Sequence, residues 1–395
     1  MRLRTIFHIR DHTLQQRFPS IRTVFRLSLT AILCAASGAA SANSYPNGHR
    51  PPGAVYAMTN DATDNRILVY SRNSNGLLAF EGSVSTHGRG SGGILDPLLS
   101  QGSLALSHGG EFLFAANAGS GTITSFRVVP SGLAFVAEAS CGGAEPISIG
   151  IHGDLLYVLN NDSMTGFRIL HDGRLATIQS STRFFAAVSA RDLGASDVAF
   201  SPNGLFLVVT QRVANQIVVF PVNADGTTGT AVPNNSNGNT PFSCTFTPTG
   251  VLIVVEFAGG PGGNSAASSY LINSDGTLKL VSGSVPTQGT AACWNVVTRD
   301  GKFSIVTNSI SSTATLFSMF GGGQLSFVSF TSAGPNVVPI DTALSANSVF
   351  LYILDGGAGA ISEFRLDESS QTLTLIGTIS DGLTGNSGLN GLAAY

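Results

Sequence analysis

Glu256 is the first side chain to weigh as a proton carrier, because it stands in an apolar run, Val254-Val255-Glu256-Phe257. Apolar surroundings disfavour a charged carboxyl and raise its pKa toward the range useful to a general acid or base. Arg212 occupies the neighbouring position one repeat earlier. Its guanidinium suits a carboxylate substrate, or a rim salt bridge to Glu256 of little energetic value. His87 is the imidazole candidate. Of the other His residues, His8 and His12 lie in an N-terminal leader, His49 in a tail, and His108, His152 and His171 in turns. Beyond His87, a Gly-rich stretch carries Arg89, Asp96 and Gln101. The amides of Gly88, Gly90, Gly92 and Gly93 could face an anion beside Arg89. A loop of this length either covers a site or is disordered. No G-x-S-x-G elbow, Walker lysine or H-E-x-x-H helix occurs, which argues against those three chemistries.

These residues sit at fixed places in a repeat. Its clearest copy runs Asp197-Val198-Ala199-Phe200, the turn Ser201-Pro202-Asn203-Gly204, a strand from Leu205 to Thr210, a strand Ile217-Val218-Val219-Phe220, and the turn Ala224-Asp225-Gly226. Further copies begin at Ser103, Ile147, Ser243, Cys293 and Ile340, and an initial copy from Ala54 lacks its first strand. The period, roughly 45–55 residues, is that of a four-stranded propeller blade. A lone blade cannot bury both its faces, so neighbours must stack. The chain ends in a spare strand, Leu389 to Tyr395, expected to complete the first blade and remove the exposed edge. The expected fold is an all-β, seven-bladed β-propeller over residues 53–395, its ring closed by the C-terminal strand, and monomeric.

In such a blade the inner strand lines the channel and begins on the face where the second strand ends. Seven residues before each turn glycine stand Ser103, Pro146, Asp197, Ser243, Trp294 and Asp341 (Ser348 replaces the last glycine). Seven residues after it stand Asn117, Asn160, Gln211, Phe257, Asn308 and Asp355. Polar strand ends can bind a polar ligand, or bond their own turns. Asp197, Asp341 and Gln211 break the pattern of the repeat and, with Asn308, are ligand-binding candidates. Trp294, the only Trp, is either a stacking platform or a channel plug.

The S-P-x-G-x-F-L turn, the I-x-x-F strand and the D-G-x-L turn resemble the lactonase family of seven-bladed propellers, which includes propeller-type 6-phosphogluconolactonase and carboxymuconate-lactonizing enzyme. The resemblance spans about residues 53–395 and is closest to an exported subgroup. Its phrases here are His87-Gly88-Arg89-Gly90-Ser91-Gly92-Gly93, Asp96-Pro97, Ser100-Gln101-Gly102, Thr290-Ala291-Ala292-Cys293-Trp294 and Gly391-Leu392-Ala393-Ala394. The resemblance implies lactone hydrolysis or closure on a small carboxylate-bearing molecule. One departure is clear: where enzymatic members carry G-x-x-P-x-H, this chain has Ala144-Glu145-Pro146-Ile147-Ser148.

The first residues read as an export signal. Six Arg precede the apolar run Leu27 to Ala36, and Ala40-Ser41-Ala42 fits a cleavage site. The run is too short to span a bilayer. Residues 1–42 are thus the expected leader, residues 43–52 a tail, and the mature protein is expected to be secreted or periplasmic. Removing the leader leaves 14 basic and 22 acidic side chains, a net charge of −8. Such a chain, with no basic stripe, is a poor partner for nucleic acid or an anionic membrane. Cys141, Cys244 and Cys293 remain. They show no zinc spacing, and whether Cys244 and Cys293 pair is left open. No cofactor is expected.

Three functions follow. The chain is a lactonase-like enzyme using Arg212, with Glu256 or His87 moving the proton. It is a non-catalytic propeller binding a small molecule or an extracellular protein. Or it is a metal-dependent lactone hydrolase with oxygens from Asp197, Asp341, Asn308 and Glu256.

Overall fold

The computed structural model describes residues 53–185, 194–260 and 264–395. The expected leader and tail lie outside the described residues. All secondary structure among the described residues is β-strand, arranged as seven antiparallel sheets. Among the described residues, no helix is long and apolar enough to cross a membrane.

Blade 1 comprises β1 (Gly53–Met58), β2 (Arg66–Arg72), β3 (Leu78–Ser85) and, as its inner strand, the C-terminal β29 (Leu392–Ala394). Blade 2 is β4 (Leu104–Leu106), β5 (Phe112–Asn117), β6 (Thr122–Val129) and β7 (Gly132–Ser140). Blade 3 is β8 (Pro146–His152), β9 (Leu155–Asn160), β10 (Ser163–Ile169), and an outer strand broken into β11 (Leu175–Thr177) and β12 (Arg183–Phe184). Blade 4 is β13 (Ala195–Phe200), β14 (Phe206–Gln211), β15 (Gln216–Pro221) and β16 (Val232–Asn235). Blade 5 is β17 (Pro241–Phe246), β18 (Leu252–Glu256), β19 (Ala266–Ile272) and β20 (Leu278–Pro286). Blade 6 is β21 (Ala292–Val297), β22 (Phe303–Asn308), β23 (Thr313–Phe320) and β24 (Gln324–Ser332). Blade 7 is β25 (Pro339–Leu344), β26 (Phe350–Asp355), β27 (Ala360–Asp367) and β28 (Thr372–Ile379).

The inner strands pack in the cycle β4, β8, β13, β17, β21, β25, β29 and back to β4. The seventh blade therefore meets the first through the last strand of the chain, as the spare C-terminal segment implied. β29 pairs antiparallel with β1, with Val55 opposite Ala394 and Ala57 opposite Leu392.

Second strands are sandwiched between neighbouring blades, so both faces must be apolar. β5, β9, β22 and β26 are buried at every residue. Outer strands are mostly half-buried or exposed, as in β20 and β28. The buried tyrosines bring a hydroxyl into this apolar wedge, which must find a partner. The Tyr157 hydroxyl donates to the Gly226 carbonyl of blade 4, and that of Tyr352 to the Gly76 carbonyl of blade 1. Each bond ties one blade to an Asp-Gly or Asn-Gly turn of the next.

The polar ends of the second strands clasp their own blades. Asn117 Nδ2 donates to Thr124 Oγ1 at 2.9 Å, and Asn308 Nδ2 to Thr315 Oγ1 at 2.9 Å. Asp355 Oδ2 accepts from Ser362 Oγ at 2.6 Å. In blade 5 this place belongs to Glu256, not to the counted Phe257, because β18 ends at Glu256, paired with Pro241 and Ala266.

Candidate functional site

Most inner strands carry a bulge near their start, between Pro146 and Ser148, Ala195 and Asp197, Pro241 and Cys244, Ala292 and Trp294, and Pro339 and Asp341. A bulge re-aims side chains and interrupts pairing. The ring of equivalent residues includes Ser148, Asp197, Trp294 and Asp341, each opposite the penultimate residue of its second strand. Counting from turn glycines placed Pro146 in this ring, but Ser148 holds the position. The reason is the turn: His152 pairs directly with Leu155, whereas Phe200 pairs with Leu207 across the longer Ser-Pro-Asn-Gly turn.

Asp197 is buried at 4% exposure. Its Oδ1 accepts from Ser148 Oγ at 3.0 Å and from the Val198 amide at 2.8 Å, and its Oδ2 accepts from the Cys244 amide of blade 5 at 2.8 Å. Asp341 repeats the device: Oδ1 takes the Thr342 amide and Oδ2 the Leu392 amide of the closing strand, at 2.8 and 2.9 Å. Burial raises both carboxyls, Asp197 to about 7 and Asp341 to about 8, against the opposing pull of these hydrogen bonds.

The long loop into blade 2 closes this end of the channel. Ser100 Oγ donates to the Ile147 carbonyl of blade 3, and the Gln101 amide to the Ser196 carbonyl of blade 4. The Gln101 side chain reaches blade 6, where Nε2 donates to the Asn295 carbonyl and Oε1 accepts from the Asn295 amide, both at 2.9 Å. Trp294 is a pillar for this segment rather than an open stacking platform. It is 1% exposed, packs edge-on to Phe242, and donates Nε1–H to the Ser100 carbonyl at 2.9 Å. Asp96 Oδ1 accepts from Asn390 Nδ2, and Asn390 Oδ1 from Ser103 Oγ, which locks the loop to the closing segment. Burial holds the Asp96 carboxyl well above its ordinary range, reinforced by the charge of Asp341 and opposed by that of Arg212. Asp96, Asp341 and Arg212 thus share one electrostatic neighbourhood at the loop-covered end.

Below the loop lies a cavity of about 720 Å³, with Gln101 and Asp197 on its wall. It runs along the inner strands of blades 3, 4 and 5 as far as the turns at their other end, where His108, His152, Ser201 and Pro202 line it. Gln101 makes three hydrogen bonds, through its backbone amide, Nε2 and Oε1.

Several sequence candidates lie elsewhere. His87 is exposed and its ring packs edge-on to Phe135 of the outer strand β7, 4.5 Å between centroids. Arg89 is exposed, with its amide bonded to Ser120. The amides of Gly88, Gly90, Ser91 and Gly92 are taken by Thr86, Asp61 and Asn60. The glycines instead allow close packing: a Cβ on Gly90 would stand 2.1 Å from the Asn60 carbonyl oxygen. Glu256 is fully buried inside blade 5, its oxygens taken by the Gly238 amide, Ser268 Oγ and Ser284 Oγ. Asn308 is buried in blade 6, bonded to Thr313 and Thr315. Gln211 faces a groove between blades 3 and 4 beside Arg183 and Phe184. Among the described residues, no three His, Cys, Asp or Glu side chains converge as a metal site. Cys141, Cys244 and Cys293 are buried free thiols, with burial pushing each pKa up toward inertness.

Sequence reasoning missed Ser148 as a ring residue and Asn295 as the anchor of Gln101. The signal for Asn295 was present, since Asn is disfavoured inside a strand.

A family model described as lactonase, 7-bladed beta-propeller, matches residues 61–180 and 163–293. A search of curated proteins returns no match. Solved structures share the fold. The periplasmic gluconolactonase PpgL of Pseudomonas aeruginosa is 19% identical, with a TM-score of 0.65 over 86% of this chain and 99% of that one. A Lactobacillus plantarum protein is 16% identical, with a TM-score of 0.67 over 87% of this chain and 98% of that one. A functionally unknown protein from Desulfotomaculum acetoxidans is 19% identical, with a TM-score of 0.66 over 85% and 98%.

Proposed function

The chain belongs to the lactonase family of seven-bladed β-propellers, and on that premise we propose that it is an exported enzyme hydrolysing a small lactone in the central cavity. The observation that carries the reading is Asp197, a carboxyl raised to about 7 on the wall of a ligand-sized cavity. Deprotonated, it accepts a proton from a water molecule as the water oxygen attacks the lactone carbonyl carbon. In this reading the second Nε2–H of Gln101, on the wall of the same cavity, donates to the developing oxyanion. Collapse of the intermediate breaks the ring C–O bond, and the proton held by Asp197 passes to the departing ring oxygen, leaving a hydroxy acid. Trp294 supports this arrangement by fixing the Ser100 carbonyl next to Gln101.

A second reading has its own support. Ser148 stands where enzymatic relatives carry His, and it is already spent on Asp197, which fits a propeller that binds the same class of molecule without turnover. A pH-stat panel of lactones on the purified mature protein separates the two. Turnover above the buffer rate that is lost in Asp197→Asn supports hydrolysis. Binding without turnover supports the second reading, and turnover unaffected in Asp197→Asn removes Asp197 as the base.

A further inference from the structure

The wall of the cavity carries a chemical restriction on its occupant. Ile149, Ile151, Val198, Ala199, Phe200 and Phe246 make its sides apolar, and polar groups gather at the inner end, at Asp197, Gln101 and Thr245. Among the described residues, neither Arg nor Lys lines it; the basic side chains on its wall are His108 and His152, both beside the turns. Cations that pair with acids elsewhere sit on the outer parts of blades, as in Arg66–Asp64, Arg127–Glu111 and Arg168–Asp154. A phosphate or carboxylate drawn into this cavity would lose its hydration with no cation to replace it, and would lie against Asp197. The buried anion-recognition groups that phosphorylated or carboxylated substrates require, a guanidinium fork or an ammonium, are missing from the described wall. Arg212 is not among the described lining residues; its charge acts on Asp96 and Cys293.

We propose that the occupant is an uncharged lactone bearing an alkyl or aryl substituent, with its polar ring toward Gln101 and Asp197. Phosphorylated and carboxylate-bearing lactones are excluded. This substrate class rests on the reading of the cavity as the ligand site, and it fits the burial ligand pockets give an apolar body with a few placed polar groups.

Lactam analogues, which bind without being hydrolysed, test the class separately from catalysis. Calorimetric titration of the mature protein compares 6-pentylpiperidin-2-one with gluconolactam and gluconolactam 6-phosphate. The alkyl lactam is expected to bind at least tenfold more tightly than gluconolactam, with no detectable binding of the phosphate. Ala199→Phe, checked by its melting curve, fills the cavity and is expected to abolish alkyl-lactam binding. Ile151→Arg supplies a cation and is expected to raise affinity for the phosphate at least tenfold. Equal or tighter binding of the phosphate by the wild-type chain overturns the proposal, as does an alkyl lactam that fails to bind or that still binds to folded Ala199→Phe. Alkyl-lactam binding with no turnover of the matching lactone leaves this inference standing and overturns the catalytic reading instead.

Discussion

Replacing Asp197 by Asn should change stability in opposite directions at two pH values. Burial raises the Asp197 carboxyl from 3.8 to about 7. The folded chain then holds a proton that the unfolded chain has lost, so the contribution of Asp197 to wild-type stability falls as pH rises from about 4 to about 7 and is flat beyond. At about 1.4 kcal/mol per pH unit, the full cost is roughly 4 kcal/mol above pH 7, and roughly 1–2 kcal/mol of it is present at pH 5. Asn does not titrate and escapes this cost. It also turns an NH2 group toward a former donor, because Asp197 accepts from Val198, Ser148 and Cys244. Leaving the buried Cys244 amide unpaired costs roughly 2–3 kcal/mol at any pH. The variant should therefore be less stable than wild type by about 1 kcal/mol at pH 5 and more stable by about 1–2 kcal/mol at pH 8. Thermal melts of both proteins at pH 5 and pH 8 read this as shifts of a few degrees with opposite signs. In the same variant, a kcat/KM profile that rises near pH 7 in wild type should disappear. A melting difference of equal sign and size at the two pH values would refute titration of this carboxyl in the folded ring.

Other expectations follow from the same geometry. Deleting Leu392–Tyr395 removes the inner strand of blade 1 and the burial of Leu392 and Ala393; a loss of roughly 2–4 kcal/mol is expected from the apolar area alone, with dimers or aggregates on size-exclusion chromatography as the β1 edge is bared. Gly90→Ala drives a Cβ to 2.1 Å from the Asn60 carbonyl oxygen; because backbone must move, a drop of about 3 kcal/mol or more in unfolding free energy is expected. Glu256→Gln should lower the melting temperature, since the acid accepts from Gly238, Ser268 and Ser284, while leaving kcat/KM unchanged; a selective loss of kcat would return Glu256 to the chemistry. N-terminal sequencing of exported protein should begin near Asn43, just after Ala40-Ser41-Ala42.

Periodicity determined the architecture before any coordinates. Apolar runs of strand length, broken by Ser-Pro-Asn-Gly and Asp-Gly turns at a constant spacing, leave blades stacked in a ring as the economical way to bury both faces of every sheet. The missing first strand and the surplus last one specified how the ring closes, because strand pairing is local and each copy counts its own strands. Ser148, Glu256 and the channel show where that legibility stopped. A one-dimensional count misplaces Ser148 and Glu256, because a shorter turn in blade 3 and a strand end in blade 5 move them by one or two residues. Residue type suggested that Glu256 was a proton carrier, yet hydroxyls from its own blade satisfy it. Asp197 and Gln101 were legible as polar candidates, but not as neighbours, since 96 residues separate them along the chain. Only the tertiary structure decided that the loop from blade 1 reaches blades 3, 4 and 6 and brings Gln101 to the cavity wall that Asp197 shares. That outcome depends on contacts among blades 1, 3, 4 and 6, and long-range packing of this kind leaves no periodic trace in a sequence.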